Sequence, residues 1–121
     1  DVSDYVLIPI PLHSSRQRER GFNQSELISR YVSEKLSLPI VAQALIRIKP
    51  TPTQTTLKES DEKATNVANC FQIGDPALIR NKIIILVDDV YTSGATMNEA
   101  VRVLKSAGAK KIIALVIAKS H

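Results

Sequence analysis

The chain has no tryptophan, one methionine, two phenylalanines and three tyrosines, and a single cysteine. Cys70 on its own can form no internal disulfide and no cysteine-rich zinc site, so beside Phe71 it reads as core filling, in a chain suited to a reducing cytoplasm. So few aromatics leave few platforms on which bases of a single-stranded nucleic acid could stack. No apolar run is long enough for a membrane span, and nothing at the N-terminus reads as a secretory signal. Neither G-x-x-x-x-G-K-[ST] nor G-x-G-x-x-G occurs, which argues against a P-loop NTPase and a dinucleotide-binding protein. His13 has no second His or Cys at metal-ligand spacing and reads as structural. There is no internal repeat and no low-complexity tract.

What is present suits one folded domain over residues 1–121. The length allows a real core, and 44% hydrophobic residues argue against disorder. The chain opens with Asp1 rather than Met, as expected of a piece of something longer. Its net charge of +4 is equally compatible with a pyrophosphate ligand, a nucleic acid, or neither.

Strands and helices alternate along the chain. Tyr5 to Ile10 reads as a short strand, with Pro9 and Pro11 ending its pairing. The next helix has Asn23 as cap, Glu26 in capping-box position, and Phe22 and Leu27 at the staple positions. It runs to about Leu36, with Leu27, Ile28, Tyr31, Val32 and Leu36 as its apolar face. Ala44 to Ile48 and Cys70 to Ile73 read as strands, and between them Lys49 to Lys63 is polar, rich in Thr, with Pro50 and Pro52, a mobile excursion rather than core. Asp75-Pro76 caps a short helical turn. Met97, Ala100, Val101, Leu104 and Ala107 recur at helical spacing before Gly108, the expected C-terminal stop. Lys111 to Lys119 closes the chain as a buried strand. The alternation predicts an α/β fold, with a mostly parallel sheet covered on both faces.

The most informative stretch runs from Ile83 to Thr96, I-I-I-L-V-D-D-V-Y-T-S-G-A-T. Five apolar residues suit a strand buried on both faces, and the acidic pair Asp88 and Asp89 follows where that strand reaches the sheet's edge. Small hydroxylated residues around a glycine come next, then an amphipathic segment. In such an order a helix start offers backbone N–H groups to an anion beside carboxylates that accept from hydroxyls, which fits a sugar phosphate. The plainer alternative is that the Asp pair and Thr92 cap a helix. Tyr91 suits stacking on a ligand and core packing equally.

This run resembles the phosphoribosyl pyrophosphate (PRPP) signature of type I phosphoribosyltransferases. The resemblance implies that fold, with a flexible hood loop. It assigns Asp88 and Asp89, as catalytic residues, to the ribose hydroxyls, and Thr92, Ser93, Gly94, Ala95 and Thr96 to the 5′-phosphate. A second stretch, Pro9 to Gln24, reads P-I-P-L-H-S-S-R-Q-R-E-R-G-F-N-Q and is similar to the domain of ComF-type competence proteins, with further matches at Arg47, Thr51, Gln54, Asn66 and Phe71. Asp61, Glu62 and Lys63 stand where relatives usually carry an arginine ahead of the asparagine, a departure from the pattern.

By the resemblance, Arg16, Arg18, Arg20 and Gly21 would bind pyrophosphate, Lys49 to Lys63 would be the hood, and Mg2+ would be held mainly through substrate. The read residues alone also allow a solvated basic turn. The family further implies a homodimer and a zinc-ribbon-like segment preceding this domain. Two function classes follow: an enzyme transferring phosphoribosyl to a nitrogenous acceptor, or a non-catalytic DNA-uptake module whose basic surface meets single-stranded DNA or a protein partner.

Overall fold

The apolar run at 83–87 becomes the middle strand of a parallel sheet. The computed structural model describes residues 2–12, 23–48, 69–91 and 94–119, with side chains left aside at 2, 89–91 and 117–119. Strand β1 (Tyr5–Pro9) pairs in parallel with β4 (Ile83–Tyr91), which pairs in parallel with β5 (Lys111–Lys119). A separate antiparallel pair joins β2 (Leu45–Arg47) to β3 (Phe71–Ile73). Each strand begins or ends within a residue or so of the expected bounds.

The alternation along β1 and β4 sorts their side chains into two apolar clusters, one on each face of the sheet. Val6, Ile8, Ile84 and Leu86 pack with Met97, Ala100 and Leu104 of helix α2 (Ala95–Ser106). Leu7 and Val87 pack on the other face with Leu38 and with Ile28 and Val32 of helix α1 (Gln24–Leu36). This is the double coverage a continuous apolar strand requires. Cys70 is fully buried in the first cluster.

Helix α1 departs from the expected apolar face. Leu27, Tyr31 and Leu36 are exposed, Tyr31 at 63%, while Ser25 and Ser29 are the buried positions. At about 100° per residue, Ser25, Ser29, Ile28 and Val32 share one arc, and Leu27 and Tyr31 fall roughly opposite. Two serines on the sheet side leave room for close approach, and Ser29 Oγ satisfies itself on the Ser25 carbonyl at 2.9 Å. Outside, the Lys35 ammonium lies 5.4 Å from the Tyr31 ring centre. The capping box is also incomplete: Asn23 caps, but the Glu26 carboxylate accepts from Arg30 at 2.9 Å instead of reaching back.

Helix α2 ends as its sequence predicts. Gly108 takes φ 101°, its N–H bonds the Lys105 carbonyl, and Ala109 N–H bonds the Leu104 carbonyl, the two bonds of a Schellman motif. Strand β5 corrects the expectation of full burial, since Ile113 and Ala114 are exposed. Among the described residues β5 pairs only with β4, so its other edge has no neighbour in the sheet. At Gly74 an added Cβ would collide with the Gln43 carbonyl oxygen, which explains a glycine just after β3. Among the described residues no helix is long and apolar enough to cross a membrane.

Candidate functional site

Parallel strands bring their carboxyl ends to one edge, and here β1 stops just short of β4. Pro9 pairs with Val87, and Ile10 N–H donates to the Val87 carbonyl at 2.8 Å. Asp88 is therefore the first residue of β4 beyond the end of β1, paired on its other side with Val116 of β5. Its side chain is half-buried. Asp89 continues the strand, with its side chain outside the described residues.

Helix α1 starts at this same edge. Asn23 Oδ1 accepts from Ser25 N–H at 3.0 Å, while Asn23 Nδ2 donates to the Ile10 carbonyl at 3.2 Å. One side chain thus caps the helix and fastens its start to the end of β1. The chain leaves the described region after Leu12 and returns at Asn23, so both ends of the basic segment are fixed beside Asp88. Arg16, Arg18, Arg20, Gly21 and His13 themselves lie outside the described residues.

Ser25 is a contributor that sequence reasoning missed. Its buried hydroxyl donates to Asp88 Oδ1 across 3.5 Å, a long contact that links the first turn of α1 to the acidic pair. The available signal was the pair of serines four residues apart, Ser25 and Ser29, polar side chains at positions that a helix would turn toward the sheet.

The second helix start, following β4, is Gly94. It is buried, adopts φ 83°, and offers no side-chain cap to α2, whose first backbone bond runs from Asn98 N–H to the Gly94 carbonyl at 2.8 Å. A glycine permits this left-handed turn and the close approach of another group to the backbone. Ala95 and Thr96 open the helix and are half-buried, whereas Thr92 and Ser93 lie outside the described residues. Of the expected site residues, the structure thus brings Asp88, Gly94, Ala95 and Thr96 to the end of one strand and the start of the next helix.

Glu99, further along α2, gathers two partners. It accepts from the backbone N–H of Asn69 at 2.9 Å and holds Arg102 in a two-pronged pair, with Nη2 at 2.6 Å and Nε at 2.9 Å. The hydrogen bond to Glu99, reinforced by its charge, holds the Arg102 guanidinium above the usual arginine range. Glu99 thereby fastens the point where the chain returns after residue 68 to α2, about 7 Å along the axis from Gly94. The Lys49 to Lys63 segment, with Thr51, Gln54 and Asn66, lies outside the described residues. Among the described residues no three His, Cys, Asp or Glu side chains converge as a metal site.

Comparison with known proteins adds to this geometry. A family model described as "Phosphoribosyl transferase domain" matches residues 20–121. "Competence protein F" of Haemophilus influenzae is 36% identical over 111 residues, covering 88% of this chain and 47% of that protein. "Competence protein ComFC" of Bacillus subtilis is 35% identical over 106 residues, covering 86% and 40%. "DNA utilization protein YhgH" of Escherichia coli (strain K12) is 32% identical over 106 residues, covering 88% and 45%. The chain spans less than half the length of these curated relatives.

Proposed function

Because the chain belongs to the phosphoribosyl transferase domain family, in its ComF-type branch, we propose that it binds PRPP with Mg2+ at the carboxyl edge of β4 and transfers phosphoribosyl to a nitrogenous acceptor. One observation carries this reading: the half-buried carboxylate of Asp88 ends the central strand, and a helix start with glycine in place of a capping side chain follows within the same connection. Carboxylates suit vicinal hydroxyls and repel phosphate, whereas an uncapped helix start suits phosphate. The two halves of a ribose 5-phosphate thus find different chemistry in sequence order.

Asp88 and Asp89 would hold the ribose 2′ and 3′ hydroxyls, and residues 92–96 would hold the 5′-phosphate. The basic segment between the end of β1 and the clasp at Asn23 would meet the pyrophosphate through Arg16, Arg18 and Arg20. A hard divalent cation on a phosphate substrate needs few protein ligands, and the carboxylates at this edge, Asp88 and Asp89, suit it. Bound there, it would neutralise charge on the leaving pyrophosphate. As the C1′–O bond breaks, positive charge develops at the ribose, and a ring nitrogen closes the new bond from the opposite face. The contribution of the chain is positioning and electrostatic stabilisation.

Titration of the folded protein with PRPP and Mg2+ by calorimetry tests the reading, followed by a screen of bases for pyrophosphate release. Saturable binding is expected; no heat at millimolar PRPP would refute it. The names "Competence protein" and "DNA utilization protein" among the relatives favour a second reading, a DNA-handling module that keeps the pocket without turnover. A triple Arg→Gln variant at 16, 18 and 20 separates the two. Under the first reading PRPP affinity falls much more than ribose 5-phosphate affinity. Under the second, single-stranded DNA affinity falls and its salt dependence flattens.

A further inference from the structure

Arg47 occupies an unusual place for a charged side chain. It is the last residue of β2, stands opposite Phe71 across the antiparallel pair, and lays its guanidinium 5.0 Å from the centre of that ring. Its Nε is buried and has no hydrogen-bond partner among the described residues. The ion pairs found among those residues join Glu26 to Arg30 and Glu99 to Arg102, and neither involves Arg47. A guanidinium cannot shed its proton to escape burial, and a buried donor of a charged group left unpaired is costly. Such a donor is a sign that its partner arrives from elsewhere.

The position narrows what that partner is. Just beyond Arg47, Ile48 N–H donates to the Cys70 carbonyl at 2.7 Å, and the adjoining Asn69 N–H is held by Glu99 of α2 at 2.9 Å. Arg47 therefore sits at the end of β2 that is fastened to the flank of α2, and Gly94 begins that same helix. The ring of Phe71 fixes the plane of the guanidinium while leaving its edge for donation. We propose that Arg47 is a further anion-binding residue, presenting Nε and an adjoining amino group as a fork to a phosphate oxyanion of the bound ligand. The inference rests on the PRPP reading and adds to it a residue outside the signature and the basic segment. The oxyanion belongs either to the 5′-phosphate or to the pyrophosphate.

Two variants and three ligands test it. Arg47→Met keeps the apolar stem against Phe71 and removes the orphan donor, so its thermal midpoint should equal or exceed that of the wild type. Its affinity for PRPP with Mg2+ should fall about tenfold to a hundredfold, the range for losing a charge-assisted hydrogen bond. Loss shared with inorganic pyrophosphate but not ribose 5-phosphate assigns the fork to the leaving group. Loss shared with ribose 5-phosphate assigns it to the 5′-phosphate. Unchanged affinity in Arg47→Met overturns the proposal, whether or not the midpoint drops. If that variant fails to fold, Arg47→Lys decides: restored folding with affinity still reduced supports the fork, and full affinity overturns it. A wild type that binds none of the three ligands overturns the PRPP reading and this inference together, whereas a binding wild type with an equally binding Arg47→Met removes the inference alone.

Discussion

Helices α1 and α2 both begin at the carboxyl edge of the sheet, and they begin differently. At α1 the cap is Asn23, in extended backbone with φ −109°, its side chain spent on Ser25 N–H and on the Ile10 carbonyl. At α2 the cap is Gly94, left-handed at φ 83°, with no side chain to spend. The first start is closed by the protein's own groups and serves to hold the fold. The second is left without an internal cap, although Ser, Thr or Asn at that position would ordinarily stabilise a helix. A protein that forgoes a cap at the end of its central strand while supplying one on the neighbouring helix has kept that position for something external.

The most severe way to break this contrast is Gly94→Val. A β-branched residue in left-handed backbone costs at least about 1–2 kcal/mol, and its side chain would fill the space a phosphate needs. PRPP affinity should drop by more than about a hundredfold, with a lowered thermal midpoint, read by calorimetry and thermal denaturation. The next effect is chemical rather than conformational. Replacing Asp88 and Asp89 by Asn should cut PRPP affinity by about tenfold to a hundredfold with a normal circular-dichroism melt. Wild-type affinity in that folded double variant would mean that the ribose is held elsewhere.

At the closed start the expected losses are in stability. Asn23→Ala removes both cap and clasp, and Asn23→Ser removes the clasp while keeping a capping oxygen. Urea denaturation should show Ala about 1 kcal/mol less stable than Ser, and Ser itself below wild type by about 0.5–1.5 kcal/mol. Equal stability of the two variants would remove the cap from the account. The smallest effect belongs to Ser25→Ala. At 3.5 Å the contact with Asp88 is weak, so ribose 5-phosphate affinity should change less than about fivefold, again by calorimetry.

Legibility in the sequence followed the physics of each element. Strand β4 was readable because a run of apolar residues longer than one face requires can be satisfied only in the centre of a covered sheet. Asn23, Asp75 and Gly108 were readable because caps and stops act locally: Asp75 accepts from Ala77 N–H at 3.0 Å, as its place before Pro76 implied. The buried side of α1 was misread. Hydrophobicity pointed to Leu27 and Tyr31, whereas the closeness of helix to sheet selected Ser25 and Ser29, a tertiary constraint invisible in residue polarity. Strand β5 was misread for a related reason, since apolar composition does not say whether a strand has a neighbour on both sides. At the site, Asp88 and Gly94 were legible as a motif. The tie from Ser25 to Asp88 joins residues far apart in the chain and could appear only once the fold was built.

The clasp between Asn23 and the Ile10 carbonyl has a consequence for how this domain can change. It pins both ends of the segment that carries the basic residues, so the scaffold sets where that segment starts and stops independently of what lies between. Closing a loop depends only weakly on its length, about 0.6 kcal/mol for each doubling. Between residues 10 and 23 the chain can therefore lengthen, shorten or exchange its charges at little cost to the remaining structure. The clasp makes this stretch an interchangeable cassette beside a fixed ribose end, and ligand preference can drift there while the core stays constant.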